Sequence, residues 1–158
     1  MAVRGSIFLD TSVLLGGLIE MGPASAAAQR VMAAIAAGQA PRASTAWHCC
    51  LEFYAVATRL PEELRLSPDD AVALLEHEVL GRFEVCDLPA AARRSLLRAA
   101  VEDRLVGGRV YDAHIAEVAR SSGAGVVVTD NRRDFIPLLR HGVTVLTAGE
   151  LVTELALA

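Results

Sequence analysis

A short apolar run that stops on an acid governs what this chain can become. In Ser6 to Leu15, SIFLDTSVLL, three apolar residues lead to Asp10, Thr-Ser follows, and a second apolar run begins. The first run is too short to classify by periodicity, but its lack of polar alternation suits a strand covered on both faces. Thr11-Ser12 then opens a helix carrying Val13, Leu14, Leu15, Leu18 and Ile19. The pattern recurs once. Gly125 to Thr129, GVVVT, is the clearest buried strand in the chain and runs into Asp130, then Asn131 and a helix from Arg132 through Leu139. In an open α/β sheet, residues at the carboxyl ends of strands line the ligand site.

The residues between these runs alternate in the same way. Ala24 to Ala37 is Ala-rich and reads as a tightly packed helix stopped by Gly38. Pro41 to Thr45 reads as a brief strand, and AWHCCLEFYAVATRL, apolar nearly all round, as a buried helix. Ser67-Pro68-Asp69-Asp70 starts a helix that runs to about Leu80. Arg82 to Asp87 alternates as a strand. Pro89 begins a helix expected to turn Leu96, Leu97, Ala100 and Val101 inward. Tyr111, Ile115 and Val118 fall on one helical face, with Asp112 in the first turn. Val143 to Leu146 gives a last strand, and Thr147 to Glu150 a capping box for the final helix. Strands alternating with helices predict an α/β fold: one domain over residues 1–158, three layers α/β/α around a short, mainly parallel sheet.

Composition excludes several classes. No apolar run approaches the roughly 20 residues a membrane span needs. MAVRGSIFLD has no signal-peptide pattern, because an acid interrupts the would-be apolar region, so a cytoplasmic location is expected. Three cysteines without a CxxC spacing argue against a disulfide framework or a zinc site. With 53% hydrophobic residues and a mean hydropathy of +0.39, the surplus apolar surface predicts a homodimer or an obligate partner. Net charge is −4, and all 15 basic residues are Arg. A GC-rich coding bias explains that choice, and Arg forks also suit phosphate.

Four acids are candidates for chemistry: Asp10, Glu52, Asp112 and Asp130. Singly, Asp10 reads equally as a helix cap, Asp112 as a first-turn acid favoured by the helix dipole, and Asp130-Asn131 as turn residues. Glu52 is harder to dismiss. It is the only formal charge between Arg42 and Arg59, inside a helix expected to be buried, with His48 as its one local partner. Carboxylates converging in one cleft repel and raise one another's pKa values unless a cation joins them. Mg²⁺ or Mn²⁺ resolves that conflict and supports metal-assisted phosphodiester hydrolysis. His48 with Glu52 and His114 with Glu117 do not make HExxH, and there is no P-loop or GxGxxG. Aromatic residues are only 4% of the chain, so a stacking platform for RNA is not expected.

Asp-Thr-Ser after the first strand, the Glu within CCLEFYAVATRL, the string VYDAHIAEVAR and the string VVVTDNRRDF, in that order, resemble PIN domains. The resemblance spans nearly the whole chain and is greatest to stand-alone VapC-type toxins of toxin–antitoxin pairs. It implies a Mg²⁺- or Mn²⁺-dependent endoribonuclease, usually dimeric, held inactive by a small antitoxin protein. By position it makes Asp10, Glu52 and Asp112 metal-site acids, with Asp10 and Asp112 foremost. Family members commonly carry the last acid where this chain has Asn131. Asp130 is ranked first for that role and Asp134 second. Thr11, Ser12, Thr129 and Asn131 are expected to orient ligands or water, and Arg132 and Arg133 to touch RNA phosphates. The missing acid keeps open a catalytically weak PIN-like module that binds RNA or protein. A phospho-acceptor receiver-like domain also gathers acids at strand ends, but this chain has no Lys for such a site.

Overall fold

The computed structural model describes residues 5–157. Its centre is a five-stranded sheet in the order β3-β2-β1-β4-β5, made by β1 (Ile7–Leu9), β2 (Ala43–Ala46), β3 (Glu84–Cys86), β4 (Val126–Val128) and β5 (Thr144–Leu146). Every pairing is parallel, with Phe8 level with Ser44 on one side and Val127 on the other. Ile7, Phe8, Leu9, Val127 and Val128 are fully buried. Continuous apolar strands of this kind require cover on both faces.

Helices supply that cover. On one face α1 (Thr11–Leu18), α2 (Ala26–Ala36), α3 (Trp47–Ala57) and α8 (Ala148–Glu154) pack together. The strand order reverses direction between β3 and β4, and the right-handed rule for parallel crossovers puts that connection on the opposite face. There α5 (Ala90–Glu102) packs on α6 (Arg109–Ser121), which packs on α7 (Arg132–Phe135) and the 3₁₀ turn Ile136–His141. The helix α4 (Pro68–Leu74), capped by the Ser67 hydroxyl on the Asp70 N–H, runs on into a π-helical turn at Leu75–Leu80. Gly17 lets α1 approach α2: a Cβ there would stand 2.4 Å from Met32 Cγ and 3.1 Å from the Ala28 carbonyl oxygen. The expected three-layer architecture is present, and the sheet is wholly parallel.

Three packing expectations are corrected. The helix α5 has no buried residue, and Leu97 and Val101 are 62% and 77% exposed; only Leu96 of that group packs on the core as a partly buried apolar residue. The helix α3 is buried on one side only, through Cys49, Cys50, Phe53 and Ala57, while Trp47, Leu51 and Tyr54 face out. Tyr111 is exposed as well, although Ile115 and Val118 of its stripe are buried. Sequence periodicity locates an apolar stripe but does not tell core from interface.

Candidate metal centre

β1 and β4 are neighbours at the point where the strand order reverses direction, and a parallel sheet opens a crevice at that point. Asp10 ends β1 there. It occupies the cap position of α1, yet its side chain makes no capping bond. Instead Oδ2 accepts hydrogen bonds from Thr129 Oγ1 at 2.8 Å and Ser12 Oγ at 3.1 Å. Asp10 is only 7% exposed. Burial is the main reason its carboxyl is pushed above the usual range, and nearby Glu52 adds to the rise against the bonds from Thr129, Thr11 and Ser12. A carboxylate aimed past its own helix is free to serve a ligand.

Glu52 enters from α3. Its Oε2 accepts the Thr11 hydroxyl at 2.6 Å, and Oε1 lies 3.2 Å from His48 Nε2. The expectation of a buried carboxylate with one local partner is therefore corrected: the side chain is 35% exposed and is partnered by Thr11 as well as His48. Asp112 stands in the first turn of α6, half-buried. Desolvation chiefly lifts its carboxyl above the usual range, with Asp134, Asp10 and Glu52 each adding and Arg109 opposing. Three acids from three other parts of the chain thus act on Asp112.

The acid that the segment after β4 brings to bear on Asp112 is Asp134. Asp130 is exposed, and its charge is not among those acting on Asp10 or Asp112. It lines a separate hollow beside Ser12, Gly16 and Gly149, and only its backbone N–H joins the network, donating to Ser12 Oγ at 3.1 Å. The chain turns after Thr129 because the Asn131 N–H donates back to Thr129 Oγ1 at 2.9 Å. That turn swings the start of α7 toward α6, and the Asn131 amide donates to Asp134 Oδ2. A strand end delivers the residue nearest it only when the following turn does not carry the chain away.

The donor chemistry fits a hard divalent cation: oxygen ligands, excess negative charge and raised carboxyl pKa values. Among the described residues, no three of these side chains stand close enough to enclose an ion directly. Mg²⁺ does not require that, since it keeps several waters and uses one or two carboxylates. Asp10 and Asp112 are the residues that would hold such an ion, with Glu52 and Asp134 as further acids acting on Asp112.

Beside Asp112 and Asp134 lies a hollow of about 330 Å³ that Arg109, Arg133, Arg140 and His141 also line. Arg133 lines this hollow, whereas Arg132 donates to Glu150 Oε1 and to the Val145 carbonyl, both at 2.9 Å, and so ties α7 to β5 and α8. Arg109, Arg140 and His141 were not expected, because nothing local in the sequence relates α6 to the turn after α7. Burial pushes the Cys49 thiol up to about 12 and the Cys50 thiol to about 11, away from thiolate chemistry.

The PIN-domain family model matches residues 6–133. Ribonuclease VapC27 of Mycobacterium tuberculosis is 34% identical over 131 residues, 82% of this chain and 88% of that protein. Among solved structures, PAE2754 from Pyrobaculum aerophilum matches 99% of this chain and 98% of its own at a TM-score of 0.61 and 24% identity. VapBC2 from Rickettsia felis, bound to a DNA fragment from their promoter, matches 89% of this chain and 96% of its own at a TM-score of 0.56 and 15% identity. Those two likenesses concern the fold alone. With the family model spanning four-fifths of the sequence and a relative 34% identical over 82% of it, the chain belongs to the PIN-domain family.

Proposed function

We propose that this protein is a Mg²⁺- or Mn²⁺-dependent endoribonuclease that hydrolyses RNA phosphodiester bonds, and that it is the toxin of a toxin–antitoxin pair. The observation that carries this reading is that Asp10, Glu52 and Asp134 all act on Asp112 beside an arginine-lined hollow. A divalent ion bound at such acids supplies positive charge to a phosphoryl oxygen and acidifies a water. The chain's own residues do the rest. Thr129 and Ser12 hold Asp10 by one oxygen, and Thr11 and His48 hold Glu52. Arg133 and Arg109 face the same hollow as Asp112 and counter the charge of an RNA backbone.

The VapC type of the 34%-identical relative supports the toxin role. A small antitoxin protein and a second copy of the chain are the partners proposed, and Leu97, Val101 and Val106 give them exposed apolar surface. No helix among the described residues is long and apolar enough to cross a membrane, and a cytoplasmic site of action is part of the proposal.

The test is cleavage of single-stranded RNA by purified, partner-free protein in Mn²⁺ or Mg²⁺. The native chain cuts and Asp10→Asn does not; equal cutting by both overturns the metal-site assignment. Expression in a bacterial host arrests growth, and the small protein encoded beside it relieves the arrest. A second reading, a PIN-like module that binds RNA or protein without cutting, is favoured by Asn131 standing where the family commonly has an acid. It predicts no cleavage by the native chain and a gain of cleavage in Asn131→Asp.

A further inference from the structure

The acid cluster has an aromatic rim that metal chemistry does not use. Tyr111 immediately precedes Asp112 in the first turn of α6, and its ring stacks on the imidazole of His48 from α3, with centroids 5.2 Å apart and planes at 22°. The imidazole is held from two further directions. Its Nε2 lies 3.2 Å from Glu52 Oε1, and the ring of His114 meets it edge-on at 5.4 Å. The Tyr111 residue is nevertheless 54% exposed. A rigid ring braced by a stacked partner, half open to water and next in sequence to a metal-site acid, is a surface prepared for another flat group.

We infer that Tyr111, backed by His48, receives the nucleobase flanking the scissile phosphate of single-stranded RNA, and so selects unpaired RNA over duplex. The inference rests on the RNA reading above. An RNA strand whose phosphate reaches Asp112 carries its neighbouring base past the residue before it. A base on the outer face of Tyr111 extends the stack to three rings, base, Tyr111 and His48. Every base has a π-face, so this contact is tolerant of sequence, whereas a paired and stacked base has no face to offer. Low overall aromatic content is no obstacle, because one well-placed ring suffices for one base.

The experiment uses the full chain carrying Asp10→Asn, which holds RNA without cutting it, and single-stranded RNA decamers with one 2-aminopurine walked along the sequence, in Mg²⁺. The expected result is quenching of the fluorophore at one position. Tyr111→Leu removes the quenching and weakens binding by about 5- to 150-fold, the range that base–aromatic stacking spans, while Tyr111→Phe stays within about twofold. Decamers abasic at that position bind the parent and the Tyr111→Leu variant alike. Thermal unfolding of the Tyr111→Leu and Tyr111→Phe variants establishes that both are folded. The inference is overturned if Tyr111→Leu binds as its parent does, if no decamer is quenched or bound, or if the abasic decamers show the same loss, which makes Tyr111 a brace for His48 only. Cleavage by the native chain is scored separately. RNA that is cut without quenching sinks the stacking inference alone, and quenching without cutting sinks the nuclease reading alone.

Discussion

Thr129 Oγ1 donates a 2.8 Å hydrogen bond to Asp10 Oδ2, joining the carboxyl end of β4 to that of β1. The same hydroxyl oxygen accepts the Asn131 N–H, so one side chain fixes both the Asp10 carboxyl and the turn that leads to Asp134. Thr129→Val removes the donor and the acceptor at a fully buried position. The expected cost is about 1–3 kcal/mol in urea unfolding at pH 7. Because this bond holds the Asp10 carboxyl down against burial, the deficit narrows as the pH falls and Asp10 takes up its proton. Thr129→Ser keeps most of the stability.

Asp10 and Asp112 carry the opposite sign from an ordinary salt-bridged acid. Their carboxyls are raised in the folded chain, so the native state binds protons more readily than the unfolded one across that interval. Stability without divalent ions therefore increases as the pH is lowered from neutral through the raised values, and this gain is complete below the unfolded value of about 3.9. Glu117 and Glu150, both lowered by hydrogen bonds, oppose it as the pH falls through their own folded values. Asp10→Asn flattens the acid-side gain and raises the metal-free melting temperature at pH 7. Melting curves over pH 4 to about 7.5, with and without Mg²⁺, check both statements.

Asp134 and Asp130 separate cleanly by mutation. Asp134→Asn takes one charge out of the cluster that acts on Asp112 and is expected to lower metal affinity or cleavage by roughly 10- to 100-fold. Asp130→Asn changes neither by more than about threefold on the same scale. Isothermal titration with Mn²⁺ and RNA cleavage rates read the difference, and the reverse order of effects restores Asp130 to the site.

Adjacent arginines also part company. Arg132→Ala breaks the ties to Glu150 and the Val145 carbonyl, which lie at a half-exposed surface, and costs about 1 kcal/mol or less of stability. RNA affinity stays the same. Arg133→Ala leaves stability unchanged and weakens RNA binding across sequences, with the salt dependence of binding shallower by about one counterion. Binding isotherms at several salt concentrations distinguish the two.

Much of this site was legible in one dimension because strands and caps are local. Asp10 at the end of IFL, the turn after Thr129 and the Thr147–Glu150 box are all dictated by residues within a few positions. That Asp134, and not Asp130, acts on Asp112 depends on the bond from the Asn131 N–H to Thr129, a turn detail that no periodicity reports. Arg132 looked like a phosphate ligand because its partner Glu150 is 18 residues on, across β5. Leu97 and Val101 looked like core for the reason any apolar stripe does: it reveals which side of a helix avoids water, not whether this chain supplies the cover.

The central place of β1 governs when the molecule becomes active as well as where. The first strand made waits between β2 and a partner 119 residues later, since the bond from Thr129 to Asp10 spans that interval. A nascent chain emerging from its amino end holds Asp10 and Glu52 early, but one flank of β1 stays bare until β4 arrives. Asp112 and Asp134 come with that last third, which takes roughly 2–9 s to synthesise at typical rates. Until then the acids are separate parts of an unassembled tool, and their repulsion cannot hinder the folding that precedes their meeting. The partner proposed above would have those seconds in hand before there is anything to restrain.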